Sequence, residues 1–135
     1  MRLDRILESC LYAVDLDAAE RFYAGVLGLE RLSGVEGRHV FFRCGENMLL
    51  LFNPEQTGAV ATAVDEGAIP LHGARGPGHL AFAISENDLP AWRARLAQAG
   101  VAIESEVQWP TGATSLYVRD PAGNSIELAP PSIWS

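Results

Sequence analysis

The sequence predicts an α+β fold: two βαβββ modules whose mixed sheets are cup-shaped, with the helices on the outer face. Three observations predict it. The stretches ILESCLYAVDLDAAERFYAGVLGLERL and GHLAFAISENDLPAWRARLAQAGVAIE each run strand, acidic turn, amphipathic helix, glycine, strand. The segments that follow also match, HVFFRCGENMLLLFNP against SLYVRDPAGNSIELAPP. Each strand segment alternates apolar and other residues with a period of two, as a sheet covered on one face requires.

Module one spans about residues 3–54. Its first strand turns Ser9, Leu11 and Ala13 to the helix and leaves Glu8, Cys10 and Tyr12 opposite. Asp15 or Asp17 caps the helix, Ala19, Phe22, Val26 and Leu27 form its stripe, and Gly28 ends it. The next segments pack Val40, Phe42, Leu49 and Leu51, with His39, Phe41, Arg43, Met48, Leu50 and Phe52 opposite. A turn at Gly45-Glu46-Asn47 joins them. Residues 55–76 have little periodicity and read as a linker and flap, with His72 placed to close over a ligand.

Module two spans about residues 77–131. Leu80, Phe82 and Ile84 pack, while His79, Ala81 and Ala83 face away. Asp88 is the expected cap of the second helix, with Pro90 in its first turn; Leu89, Trp92, Leu96 and Ala99 form the stripe and Gly100 ends it. Leu116, Val118, Ile126 and Leu128 pack, leaving Ser115, Tyr117, Arg119, Ser125, Glu127 and Ala129 opposite, with a hairpin turn at DPAGN. Glu8 lies 20 residues before Gly28 and His79 lies 21 before Gly100, which sets Glu8 opposite His79. The tails then pair Asn47 with Asn124 and Leu50 with Glu127.

A length of 135 residues suits one domain, 1–135. A formal charge of −7 opposes nucleic-acid and anionic-membrane binding. Cys10 and Cys44 form no CxxC pair and are expected to be buried, reduced thiols, and a cytoplasmic location follows by default.

The face away from the helices collects Glu8, His39, Arg43, His79, Tyr117, Arg119 and Glu127 around apolar Phe41, Met48 and Leu50. Sealed core does not tolerate so much unpaired charge. An apolar floor with a polar rim suits a small-molecule substrate. Each residue also has a plainer reading. His79 can be a histidine bonded to a backbone carbonyl, and Glu127 a solvated partner of Arg119. Glu8 can be an exposed partner of Arg5, and Tyr12, Tyr117 and Trp109 can be packing aromatics.

The paired βαβββ units, with DLDAAERFYAGVLGLE, GHLAFAI and RDPAGNSIEL, resemble the vicinal oxygen chelate superfamily, which includes glyoxalase I, extradiol dioxygenases and bleomycin-resistance proteins. The resemblance implies a divalent metal in the cup, held from the first and last strands of the units. Carried onto this chain, the ligand positions fall on Glu8, Leu50, His79 and Glu127. Leu50 departs from the glyoxalase I carboxylate, and Glu8 stands where histidine is commonest. One imidazole and two carboxylates suit Zn, Ni, Mn, Fe or Co. The implied protein is a metal-dependent lyase, isomerase or dioxygenase acting on adjacent substrate oxygens, with Glu127 or Glu8 as base. Tyr12, His39, Phe41, Arg43, Leu50, Tyr117 and Arg119 would contact the substrate. The resemblance also implies a homodimer and, as the alternative, a metal-free binder of the bleomycin-resistance type.

Overall fold

Alternating strands build the first unit of the computed structural model, which describes residues 1–135 as two units, Met1–Gly76 and Pro77–Ser135. Strands β1 (Glu8–Tyr12), β2 (Glu30–Val35), β3 (His39–Cys44) and β4 (Asn47–Phe52) lie in the order β1-β4-β3-β2. β1 is parallel to β4, and the other pairs are antiparallel. Leu11, Ala13, Val40, Phe42, Leu49 and Leu51 are buried on the packing face.

Helix α1 (Leu16–Glu20) begins where the Asp15 carboxylate accepts the Ala18 N–H at 3.0 Å. After Glu20 the helix widens into a π-helical stretch over Arg21–Val26. The Leu27 N–H reaches five residues back to the Phe22 carbonyl at 3.0 Å. That extra residue per turn rotates Tyr23 inward, where it is fully buried, edge-on to Phe22 at 5.0 Å and 5.9 Å from the Phe42 ring. Val26, assigned to the stripe by a 3.6-residue period, is only half-buried.

The expected linker carries structure of its own and groups with the first unit. The Asn53 side chain caps a short helix α2 (Pro54–Thr57), and β5 (Thr62–Val64) pairs with β6 (Gly67–Ile69) as a hairpin. Beyond it, the His72 N–H donates to the Thr57 carbonyl.

The second unit repeats the plan. Strands β7 (His79–Ala83), β8 (Ser105–Gln108), β9 (Thr114–Arg119) and β10 (Ser125–Ala129) lie in the order β7-β10-β9-β8. Leu116, Val118, Ile126 and Leu128 are buried. Ser85, not Asp88, caps the entry to helix α3 (Leu89–Gln98): its hydroxyl accepts the Asn87 N–H ahead of a 3₁₀ turn, and Asp88 makes no capping bond. Leu96 is buried, but Ala99 is exposed.

The registers agree with the repeat. Glu8 pairs with Met48 as His79 pairs with Ser125, and Leu50 and Glu127 stand two residues further along their strands. Cys10 corrects the expectation of a buried thiol: it is exposed, because it shares its strand face with Glu8 and Tyr12, while Cys44 is half-buried. No helix is long and apolar enough to cross a membrane.

Candidate functional site

The turn at DPAGN sets the geometry of the second unit's polar face. The buried Asp120 carboxylate accepts the backbone N–H groups of Ala122 (3.0 Å) and Asn124 (2.8 Å), and the Asn124 amide (2.9 Å). Asn124 Oδ1 in turn accepts the Gly78 N–H at 2.8 Å, and the Ser125 N–H donates to the Gly78 carbonyl. The strand start that carries His79 is therefore tied to β10.

His79 Nδ1 lies 3.0 Å from the Ser125 carbonyl oxygen. A carbonyl can only accept, so Nδ1 carries the proton and neutral His79 has its lone pair on Nε2. That nitrogen is 3.3 Å from Glu127 Oε2, with side-chain exposures of 53% for His79 and 7% for Glu127. The other carboxylate oxygen, Oε1, accepts from the Ser115 hydroxyl at 2.6 Å, and Ser115 Oγ accepts from Trp109 Nε1 at 2.8 Å. Tyr117 stacks near His79 with centroids 6.2 Å apart, and burial, then the neighbouring Glu127 charge, holds its phenol above the ordinary value.

Two lone-pair donors at 3.3 Å repel unless a proton or a cation lies between them. An ion about 2.1 Å from each would separate them by about 3.0–3.4 Å. A ligating histidine also characteristically donates its other N–H to a carbonyl. The His79–Glu127 pair thus fits a divalent metal by donor type, spacing and tautomer. Within each unit no third His, Cys, Asp or Glu joins such a group.

Glu8 lies in the first unit, exposed, at the edge of a cavity of about 600 Å³. Tyr12, His39, Phe41, Leu50, Phe52 and His72 line it. Tyr12 and His72 Nδ1 are hydrogen-bonded at 2.8 Å, and burial first, then Cys10, pushes the Tyr12 phenol up to about 12. Arg38 donates to His39 Nδ1 at 2.7 Å and to Thr62 of the hairpin. Burial first, then the Arg38 charge, lowers the His39 pKa.

Arg38 was not among the expected site residues, and the two predicted arginines lie elsewhere. Arg43 is exposed beside Met48 and outside the cavity lining. Arg119 pairs with Glu104 at 2.8 Å and donates to the Gly123 carbonyl, not to Glu127. Arg5 pairs with Glu46, not with Glu8. Sequence reasoning passed over Ser115 as a functional residue. The signal was a small hydroxyl on the same strand face as Tyr117, within reach of Glu127.

A two-unit βαβββ fold with a histidine–carboxylate pair at one strand end defines a class of small-molecule proteins. Residues 2–128 match the model of the Glyoxalase/Bleomycin resistance protein/Dioxygenase superfamily, and the chain belongs to that superfamily. Lactoylglutathione lyase from Agrobacterium tumefaciens is 41% identical, with a TM-score of 0.92 over 100% of this chain and 99% of that one. A virulence protein from Salmonella typhimurium is 26% identical, with a TM-score of 0.73 over 96% and 98%. Oxidase ChaP-H2, 22% identical with a TM-score of 0.66 over 96% and 94%, shares the fold. No curated protein matches the chain.

Proposed function

We propose that the protein is a metal-dependent, glyoxalase-type enzyme acting on a small substrate with adjacent oxygens, with Glu8, His79 and Glu127 as the metal ligands. The observation that carries this reading is the 3.3 Å approach of His79 Nε2 to Glu127 Oε2, with both other faces of the pair held. Membership of the superfamily and 41% identity to a lactoylglutathione lyase support the reaction type. Glu8 enters as the third ligand by its repeat register with His79.

When bound, a divalent ion would supply Lewis-acid polarisation of two substrate oxygens. The remaining work belongs to the chain. The Ser125 carbonyl orients the His79 ring, and Ser115 fixes one oxygen of Glu127, leaving the other for the site. Glu8 is exposed and makes none of the bonds that immobilise Glu127, so of the two carboxylates it is the one that could leave the ion to take a proton from the substrate. Tyr12, His39, Phe41 and Leu50 would contact the substrate from the cavity, and Tyr117 would do so from the second unit.

Leu50 favours a second reading, a metal-free binding protein, because it places a methyl-rich side chain at the repeat position of Glu127. Elemental analysis of protein purified without chelator separates the two. The enzyme reading predicts about one transition-metal ion per chain, lost in both His79→Ala and Glu127→Ala. A metal-free parent would reject it in favour of the binder.

A further inference from the structure

We infer that the cavity of the first unit takes a planar aromatic ring, so that the substrate is a ring compound and not a glutathione conjugate. The inference rests on the reading above in treating this cavity as the substrate site; seating the ring does not itself require a metal.

The lining carries it. Five ring side chains converge on about 600 Å³, a volume that suits a small organic molecule. His39 and Phe41 stack at 4.2 Å with planes 13° apart. Phe52 stands edge-on to Phe41 (5.5 Å, 75°) and to His72 (4.6 Å, 78°). Leu50 completes an apolar floor. Such an arrangement offers both faces and edges, the two geometries in which a flat ring is attracted to other rings.

Two sets of polar groups in the lining are already joined to each other, which leaves the Glu8 carboxylate over. Tyr12 bonds His72, and the Arg38 guanidinium is engaged by His39 and Thr62. Arg38 is the one arginine in the lining, no lysine joins it, and Glu8 adds negative charge at the edge. Glutathione carries two carboxylates, which call for free cationic donors. Burial of an uncharged ring breaks none of the existing bonds, whereas a carboxylate would compete for Arg38.

The test uses the full chain, stripped of metal by chelator and dialysed, in calorimetric titrations with 2-naphthol and with S-lactoylglutathione. The expected result is saturable 2-naphthol binding that weakens about 3- to 10-fold in Phe41→Leu and in Phe52→Leu, with no binding of S-lactoylglutathione at the same concentrations. Should a variant misfold, the Leu50 methyl resonances of the parent decide: 2-naphthol moves them by ring current. Unmoved methyls, 2-naphthol affinity indifferent to both substitutions, or equal affinity for S-lactoylglutathione overturns the inference. Metal content is measured separately on untreated protein. An empty protein that binds 2-naphthol rejects the enzyme reading alone, and a metal-loaded protein that ignores 2-naphthol rejects the ring site alone.

Discussion

Ser115→Ala removes a single hydroxyl that makes two bonds in a buried place. The hydroxyl donates to Glu127 Oε1 at 2.6 Å and accepts from Trp109 Nε1 at 2.8 Å, with Ser115 fully buried. One lost bond is to a charged acceptor and the other is between neutral groups, so about 2–4 kcal/mol of folding stability should go. The larger consequence concerns the proposed metal site. Glu127 would lose the contact that fixes its orientation, and loss of such a supporting bond typically weakens metal affinity about 10- to 100-fold. The assay is calorimetric titration of Zn²⁺ into chelator-treated protein, well below the melting temperature, with Ser105→Ala on the neighbouring strand as control. Ser105 is exposed and touches neither Glu127 nor His79 in the sheet register, so its variant should bind like the parent. A folded Ser115→Ala protein with Zn²⁺ affinity within about twofold of the parent would show that Ser115 does not hold Glu127 for an ion, because the typical loss is larger than that.

Other outcomes follow from the same geometry. Asp120→Ala leaves three N–H donors without their acceptor and should cost about 3–5 kcal/mol, seen as a melting temperature lower by more than about 10 °C. His39 has a folded pKa below its unfolded value, so the unfolded chain binds the proton first. Its contribution to stability is complete above about pH 6.5 and is lost as pH falls from there toward the folded pKa. His39→Gln should therefore flatten the decline in melting temperature between about pH 7 and pH 5, which a thermal-unfolding series checks. Tyr12→Phe removes the hydroxyl that holds His72 and should speed amide exchange in residues 62–72 while costing about 0.5–1.5 kcal/mol.

Much of this architecture was legible because a sheet covered on one face leaves a period of two in the sequence. Val40, Phe42, Leu116, Val118, Ile126 and Leu128 all lie on the expected side. The repeat also placed Glu8 with His79 and Leu50 with Glu127, since the parallel pairing of first and last strand keeps the same register in both copies. What escaped were features that strand and helix periods do not encode. A π-helical stretch exchanges Tyr23 for Val26 on the buried face. β5 and β6 have three residues each, too few to show alternation. The choices of Arg5 for Glu46, and of Arg119 for Glu104, depend on the reach of long side chains across a folded surface. The chain from Trp109 through Ser115 to Glu127 joins residues whose neighbourhood exists only once β8, β9 and β10 pair.

The proposed ion between His79 and Glu127 is most directly tested by anomalous diffraction from crystals grown with Co²⁺, recorded at the cobalt edge. One peak is expected about 2.0–2.2 Å from His79 Nε2, with Glu127 Oε2 and a Glu8 carboxylate oxygen at similar distances, Glu8 coming from the same chain or a second copy. No peak at His79, or one that Glu127 does not touch, would contradict it.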